Sequence, residues 1–377
     1  MTKPLIAIAC GGTGGHLFPG VAIAEEFLDY DVEVLLIVRQ GDVERFGVSV
    51  LSGAEIREIP GVRFSLKTPL RSVRDLLRNA RAVKTVFRER PPAAVLGMGG
   101  YSSFSPIRQA RKLGVPRYLH EANSVPGRAV RMLAKHCQKT FTFFDCARQS
   151  IQSMGGKAQR VGMPLRRQFE RFDAPSSRLQ LGLRRDQPTL LVMGGSQGAR
   201  PINRFASSHL DALLEAIPNL QIIHLSGSAD FEEVRAAYKR YPNRGVVRPF
   251  LTEMEFAYAA ANAVFMRSGA STLAEVSRMR TPTILTPLPH AADGHQGRNA
   301  AEFAKTGAAR VIEQSDLEIG RLIDELRPLL FDGTARDRMI GSLEDWDAED
   351  ATESIVVSVL EDLGLPTRKS GPLIRFD

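Results

Sequence analysis

Residues able to move a proton recur where apolar runs give way to glycine or polar clusters. His16 closes the string Gly-Gly-Thr-Gly-Gly-His at 11–16, Tyr101 follows Gly97-Met98-Gly99-Gly100, and His120-Glu121-Ala122-Asn123 ends a further run. Two imidazoles, a carboxylate, a phenol and an amide at one sheet edge are equipment for handling a hydroxyl. A general base needs a group that titrates near neutrality and neighbours that orient it. The glycine strings ask for a different ligand. Residues 11–16, and the second string Gly194-Gly195-Ser196-Gln197-Gly198, each follow an apolar run. A strand, a glycine turn and a helix opening gather backbone N–H groups and the positive helix end around one small volume, which suits an anion. Both strings read as phosphate cradles. The first is not the full dinucleotide fingerprint, because Leu17 stands where a third glycine would follow Gly12 and Gly14. In addition, no acid caps the run 32–38, which ends at Arg39.

Further polar residues cluster after the run 263–266, in Arg267-Ser268-Gly269-Ala270-Ser271-Thr272-Leu273-Ala274-Glu275. Ser268, Ser271 and Thr272 are types that open helices, which would turn their amides toward an anion. Glu275, one turn further on, is either a first-turn acid facing the helix dipole or an acceptor for two ribose hydroxyls. The loop 287–299 carries His290, Asp293, His295, Gln296 and Asn299, as a polar surface loop or as donors and acceptors for sugar hydroxyls.

The elements that must position these groups alternate. Apolar runs at 5–10, 32–38, 93–98, 117–119 and 139–144 are separated by stretches long enough for crossover helices, one of them opening at Pro19. Such runs predict a buried parallel sheet. From 163 to 188 the alternation stops and arginine, proline and serine predominate, as in an interdomain linker. It resumes with runs at 189–193, 221–225, 245–248, 263–266, 283–285 and 309–312, then a last helix at 352–363 and a polar, mobile tail at 366–377. The reading is α/β with two domains. With 377 residues, 43% of them apolar, the chain can fill two cores. No run approaches the ~18 apolar residues of a membrane span, and no signal-peptide pattern opens the chain, so the cytosol is the expected compartment. Cys10, Cys137 and Cys146 have neither disulfide nor zinc spacing and read as buried bystanders.

The formal charge of +8 is concentrated at 63–90, where Arg63, Lys67, Arg71, Arg74, Arg78, Arg81, Lys84, Arg88 and Arg90 face only Asp75 and Glu89. Val73, Leu76, Leu77, Ala80, Val83 and Phe87 fall on one helical face, with Arg71, Arg74, Arg78 and Arg81 on another. This is a crossover helix with a solvated basic face, a surface for anionic headgroups, or both. A nucleic-acid patch is disfavoured, since no aromatic residue interleaves with the arginines before Phe87.

The strings 11–16 with Phe18-Pro19-Gly20, 97–101, His120-Glu121 with Asn123, 194–200 and 267–275 resemble, in the same order, those of the MurG family of N-acetylglucosaminyl transferases. The resemblance covers both halves, from Leu5 to about Ile312. It implies a GT-B architecture: two Rossmann-like domains with parallel sheets facing across a cleft, and a C-terminal helix crossing back to the first. The implied domains are 1–163, joined by a helix at about 345–365, and 164–344. It further implies transfer of N-acetylglucosamine from its UDP donor to the C4 hydroxyl of lipid I, in an inverting displacement that gives lipid II and UDP for peptidoglycan synthesis. The site would be the cytoplasmic face of the membrane, with the basic segment on anionic lipid and cell-wall synthesis proteins as possible partners.

Carried over by motif, Ser196 and Gln197 would lie near the donor phosphates, and Leu251 would meet uracil by main chain. Ala270, Ser271, Thr272, Leu273, Ala274 and Glu275 would hold diphosphate and ribose, and Gln296 and Asn299 would read the sugar. Thr13, Gly14, Gly15, Asn123 and Arg166 would close on the donor. His16, Tyr101, His120 and Glu121 match the acceptor side, with His16 as first choice of base, Glu121 as second and Tyr101 as orienter. Two departures stand out: Gly162-Met163-Pro164 replaces the family's Gly-Asn-Pro, and His295-Gln296 replaces adjacent glutamines in a loop one residue longer. Backbone amides and helix dipoles can stabilise the leaving diphosphate, so no metal or other cofactor is implied. Asp345-Trp346-Asp347 reads as solvated surface. A UDP-N-acetylglucosamine 2-epimerase, a nicotinamide-dependent dehydrogenase and a non-catalytic nucleotide-sugar sensor remain as alternatives.

Overall fold

Strand side chains alternate between the two faces of a sheet, so a strand buried on both faces must be apolar at every position. The first strand, β1 (Leu5–Ala9), meets that condition throughout. Ile6 and Ile8 enter one core with Leu36, Leu96, Tyr118 and Phe141, while Leu5, Ala7 and Ala9 enter the other with Leu35, Ile37, Val95 and Leu119. The computed structural model describes residues 3–46, 53–62, 69–195, 198–348 and 350–369. The chain divides into two compact units, Met1–Arg166 with Ala348–Asp377, and Arg167–Asp347.

The first unit continues with β2 (Glu33–Arg39), β3 (Ala54–Ile59), β4 (Ala94–Gly97), β5 (Arg117–Glu121), β6 (Lys139–Thr142) and β7 (Ala158–Arg160). All pairings are parallel, in the order β3-β2-β1-β4-β5-β6-β7. The helix after β1 spans Gly14–Phe27 and holds Pro19 inside it, so it opens a turn earlier than the sequence predicts. Its close approach to the sheet depends on Gly20, where an added Cβ would lie 2.6 Å from Cys10 Cβ. The C-terminal helix Ala351–Asp362 packs in the same core through Ile355, Val356, Val359 and Leu360. Lys139 Nζ donates to Ser358 Oγ at 2.6 Å, and Lys369 pairs with the buried Glu26 at 2.9 Å. The expected tail is therefore tied down as far as Lys369; residues 370–377 lie outside the described residues.

The second unit contains β8 (Thr189–Met193), β9 (Gln221–Leu225), β10 (Gly245–Arg248), β11 (Ala263–Met266), β12 (Thr283–Leu285) and β13 (Arg310–Val311). They form a parallel sheet in the order β10-β9-β8-β11-β12-β13. Much of the stretch that reads as linker belongs to this unit. Arg178, on the helix Ala174–Gln180, is buried and donates to the carbonyls of Ala260 and Arg185, both at 2.9 Å. Asp347, read as solvated, pairs with Arg278 at 2.8 Å in a largely covered setting, and Trp346 stacks on Phe303.

The basic helix Pro69–Glu89 also differs from its sequence reading. Ser72, Asn79, Val83 and Phe87 are its buried line, whereas Leu70, Val73 and Leu77 are 87%, 56% and 52% exposed. Arg63 and Lys67 lie outside the described residues.

Near the end of β5, His120 is buried and its Nε2 donates to the carbonyl of Gly162 at 3.1 Å, tying β5 to the segment after β7. Burial, opposed by that hydrogen bond and aided by His16, pushes its pKa from 6.5 down to about 4. Between those values the unfolded chain binds the extra proton. The stability linked to His120 is thus complete above its unfolded pKa and lost as pH falls toward the folded one, about 3 kcal/mol in all. Wild type is expected to lose that much unfolding free energy relative to His120→Gln between pH 6.5 and 4. The check is urea unfolding at both pH values; a pH-independent difference would contradict it.

Candidate functional site

In a parallel sheet the loops that follow the strands share one edge, and ligands bind there where the strand order reverses. In the first unit that point lies between β1 and β4. After β1 the chain turns through Gly11 and Gly12, and Thr13 takes an extended backbone as the N-cap of the helix Gly14–Phe27. Its carbonyl accepts from the amides of His16 and Leu17, and its Oγ1 lies 2.9 Å from His16 Nδ1. After β4, Gly99 and Gly100 take φ of +83° and +65°, and a Cβ at either would sit 3.4 Å from the His16 ring. Only glycine meets both demands, so the backbone forms a platform for the imidazole. Tyr101 follows, 38% exposed. Thr13, His16, Tyr101, Arg39 and Asn79 line a pocket of about 220 Å³.

The structure thus brings His16 and Tyr101 to one pocket and turns His120 and Glu121 inward. Glu121 is buried; its Oε1 accepts from the Asn123 backbone N–H at 2.9 Å and from Asn123 Nδ2 at 3.3 Å, and its Oε2 from the Gly127 N–H at 2.8 Å. Burial raises its pKa, and those N–H donors work in the opposite direction. Its carboxylate shapes the loop 122–127. Arg166 places its guanidinium 4.6 Å from the centre of the Phe18 ring.

The first glycine string is not an open anion cradle. Asp42, completely buried, accepts from the Gly12 N–H at 2.6 Å, and its other oxygen pairs with Arg39 at 3.0 Å. A carboxylate of the chain itself already takes that amide. Sequence reasoning missed it by looking for an acid at the end of β2; the acid comes three residues beyond Arg39 and reaches back.

The second unit is arranged differently. Ser196 and Gln197 lie outside the described residues. Beyond β11, Gly269 is the N-cap of the helix Ala270–Met279, and no side chain caps it. Ser268, expected to open the helix, donates instead to the Gln296 carbonyl at 2.8 Å, and Thr272 donates back to the Gly269 carbonyl. The helix opening therefore keeps its anion-attracting end. Glu275 Oε2 accepts from the buried Tyr258 hydroxyl at 2.7 Å. Asn299 is fully buried with Nδ2 on the Ser268 carbonyl at 3.2 Å, whereas Gln296 is partly exposed and its Oε1 accepts from the Leu288 N–H at 3.0 Å. Leu251, half-buried, lies in the loop after β10. Among the described residues no group of three or more His, Cys, Asp or Glu could hold a metal ion.

Tyr258 and Arg267 are the further residues that sequence reasoning left out. Tyr258 gave no local signal, since its partner Glu275 is 17 residues away on another helix. Arg267 was visible as the residue directly after β11, where a charged group beside an apolar run asks for an explanation.

Comparisons with known proteins fit this geometry. The profile of the glycosyltransferase family 28 N-terminal domain matches residues 6–142, and that of the C-terminal domain matches residues 189–353. The UDP-N-acetylglucosamine–N-acetylmuramyl-(pentapeptide) pyrophosphoryl-undecaprenol N-acetylglucosamine transferase of Geobacter sulfurreducens is 37% identical over 365 residues, covering 93% of this chain and 96% of its own. Among solved structures, MurG of Acinetobacter baumannii superposes with a TM-score of 0.72 at 23% identity, covering 95% of this chain and 99% of its own. A structure described as a putative UDP-N-acetylglucosamine 2-epimerase from Listeria monocytogenes reaches the same 0.72 at 14% identity, covering 98% and 99%. These superpositions establish the GT-B fold and leave the choice between transferase and epimerase to sequence. On the full-length alignment and the two matched domains, the chain belongs to glycosyltransferase family 28, within the MurG family.

Proposed function

We propose that the chain is an inverting hexosyltransferase that moves N-acetylglucosamine from UDP to the C4 hydroxyl of the N-acetylmuramyl residue in lipid I, giving lipid II and UDP. The observation that carries this reading is the alignment, at 37% identity and over 93% of the chain, with a relative named for that reaction. The physical chemistry of the site agrees with it. The second unit offers the uncapped N-terminus of the helix Ala270–Met279 to a diphosphate. Tyr258 holds Glu275 in place for the ribose hydroxyls. Gln296 is the better exposed of the two residues assigned to the sugar.

In the first unit His16 is the proposed base. When Thr13 Oγ1 accepts from His16 Nδ1–H, Nε2 is the basic nitrogen of the ring, the one that would receive the acceptor hydroxyl proton. Tyr101, beside it in the same pocket, orients the acceptor. Glu121 supports the loop carrying Asn123. As the bond from the anomeric carbon to UDP breaks, negative charge grows on the leaving diphosphate, and fixed amides and helix ends stabilise it.

The membrane-facing element is the helix Pro69–Glu89, where Leu70, Val73 and Leu77 form an exposed apolar stripe flanked by Arg71, Arg74, Arg78 and Arg81. Apolar side chains entering the headgroup region and guanidinium groups on anionic lipid would hold the enzyme peripherally at the cytoplasmic face, where it meets lipid I. Among the described residues no helix is long and apolar enough to cross a membrane.

Two experiments test the reading. The purified chain is expected to transfer labelled N-acetylglucosamine from UDP to a lipid I analogue, at the same rate with a chelator present. His16→Ala is expected to lower turnover roughly 100- to 10,000-fold, with donor affinity changed less than about twofold. Release of N-acetylmannosamine from the donor alone would identify an epimerase instead. In vesicle sedimentation, Leu70→Ser with Leu77→Ser is expected to weaken binding to anionic vesicles by about tenfold or more; unchanged binding would remove this helix from the membrane contact.

A further inference from the structure

Among the described residues, Arg267 is a buried cation with no carboxylate partner. It ends the run into the donor loop and is only 5% exposed. Its Nη1 donates to the carbonyls of Thr286 and Pro287, both at 2.9 Å, and its Nη2 donates to Gln314 Oε1 at 2.6 Å. All three acceptors are neutral, and among the described residues no carboxylate pairs with it. Burial, with no opposing acid, holds its pKa below the ordinary arginine value. The other deeply buried arginine of this unit is different, since Asp186 and Asp173 act on Arg178 and offset its charge. A buried charge without a counterion is costly, and folds keep one where a partner arrives later.

We propose that Arg267 is a positioning residue whose missing counterion is the diphosphate of the bound nucleotide. This rests on the UDP-donor reading above. The residue stands two positions before Gly269, the uncapped N-cap, so its charge and the positive helix end lie on the same side of the sheet. Nearly sealed from water, it acts through space and is screened little by salt. Its hydrogen bonds fix the chain after β12 and the stretch at Gln314, so the cation cannot swing toward the ligand; its field is set before the ligand arrives. The same field stabilises the charge that develops on the leaving UDP during transfer.

The test compares UDP with uridine, two ligands that share base and ribose and differ in the diphosphate. Calorimetric affinities for both are measured on the full-length wild type from about 0.05 to about 0.5 M salt, and on Arg267→Lys and Arg267→Met. The preference of wild type for UDP is expected to survive the salt increase within about threefold. Arg267→Lys, which keeps the charge and loses the fork, is expected to weaken both ligands in parallel and hold the preference. Arg267→Met is expected to cut the preference about tenfold or more with uridine affinity retained. A preference that collapses with salt in wild type, or is lost in Arg267→Lys, overturns the proposal. So does an Arg267→Met variant that weakens UDP and uridine equally. Should Arg267→Met fail to fold, the wild-type salt series and Arg267→Lys decide. A wild type that binds no UDP would instead overturn the donor reading itself.

Discussion

Both sheets are wholly parallel, and this constraint places everything else. Parallel strands need crossover helices on both faces, which bury most side chains of the central strands. The ends of the strands and the segments after them are where polar groups gather, and where the order reverses those segments part to leave room for a ligand. His16 stands in the first turn of the helix after β1, Tyr101 in the segment after β4, and Arg267 through Glu275 run from the turn after β11 into the following helix. The edge at which polar groups can gather is thus a consequence of strand direction before any particular residue is chosen.

The central strands were legible because they obey one rule of composition. β1, β2 and β8 are almost entirely buried and their runs are nearly all apolar; β9 is as buried, with Gln221 and His224 hydrogen-bonded inside it. The edge strands of the first sheet were not legible, whereas β10 and β13, the edges of the second, fall in the runs read at 245–248 and 309–312. β3 reads Ala-Glu-Ile-Arg-Glu-Ile with two exposed charges, and β7 is three residues with two exposed. An edge strand with charged positions resists pairing with another chain, and the same charges erase the apolar signal that marks a strand. The helix Pro69–Glu89 failed for the opposite reason. Periodicity finds an apolar face, but Ser72 and Asn79 share its buried line, while Leu70, Val73 and Leu77 face outward. A pattern assigns residues to faces and cannot say which face meets the sheet.

At the site, residue types were easier to read than residue orientations. His16, Tyr101 and Glu275 sit among polar partners near strand ends, as their strings imply. His120, Glu121 and Asn299 belong to the same strings, yet each spends its polar atoms on the protein: His120 on Gly162, Glu121 on the loop 122–127 and Asn299 on Ser268. Those partners lie up to 42 residues away, beyond the reach of any local pattern. A loop that must hold a substrate needs its own internal bonds, and polar residues of the same types serve both ends.

The polar strings 11–16 and 267–275 each follow a central strand and lead into a helix, yet they differ in charge. In the first unit Asp42 places a buried carboxylate on the Gly12 amide, and Arg39 balances that carboxylate. A diphosphate would have to displace that carboxylate to reach the amide. Neither the helix at Gly14 nor that at Ala270 has a side-chain cap, but in the second unit Arg267 adds a positive charge without a carboxylate partner among the described residues. A diphosphate there gains N–H donors and a cation together. Under the proposed function, this difference favours the second unit for the diphosphate. In the first unit the Gly12 amide is already engaged, and His16 and Tyr101 line one pocket. The asymmetry comes down to Asp42 and Arg267: one fills an anion position that the fold would otherwise offer, and the other leaves a cation waiting for one.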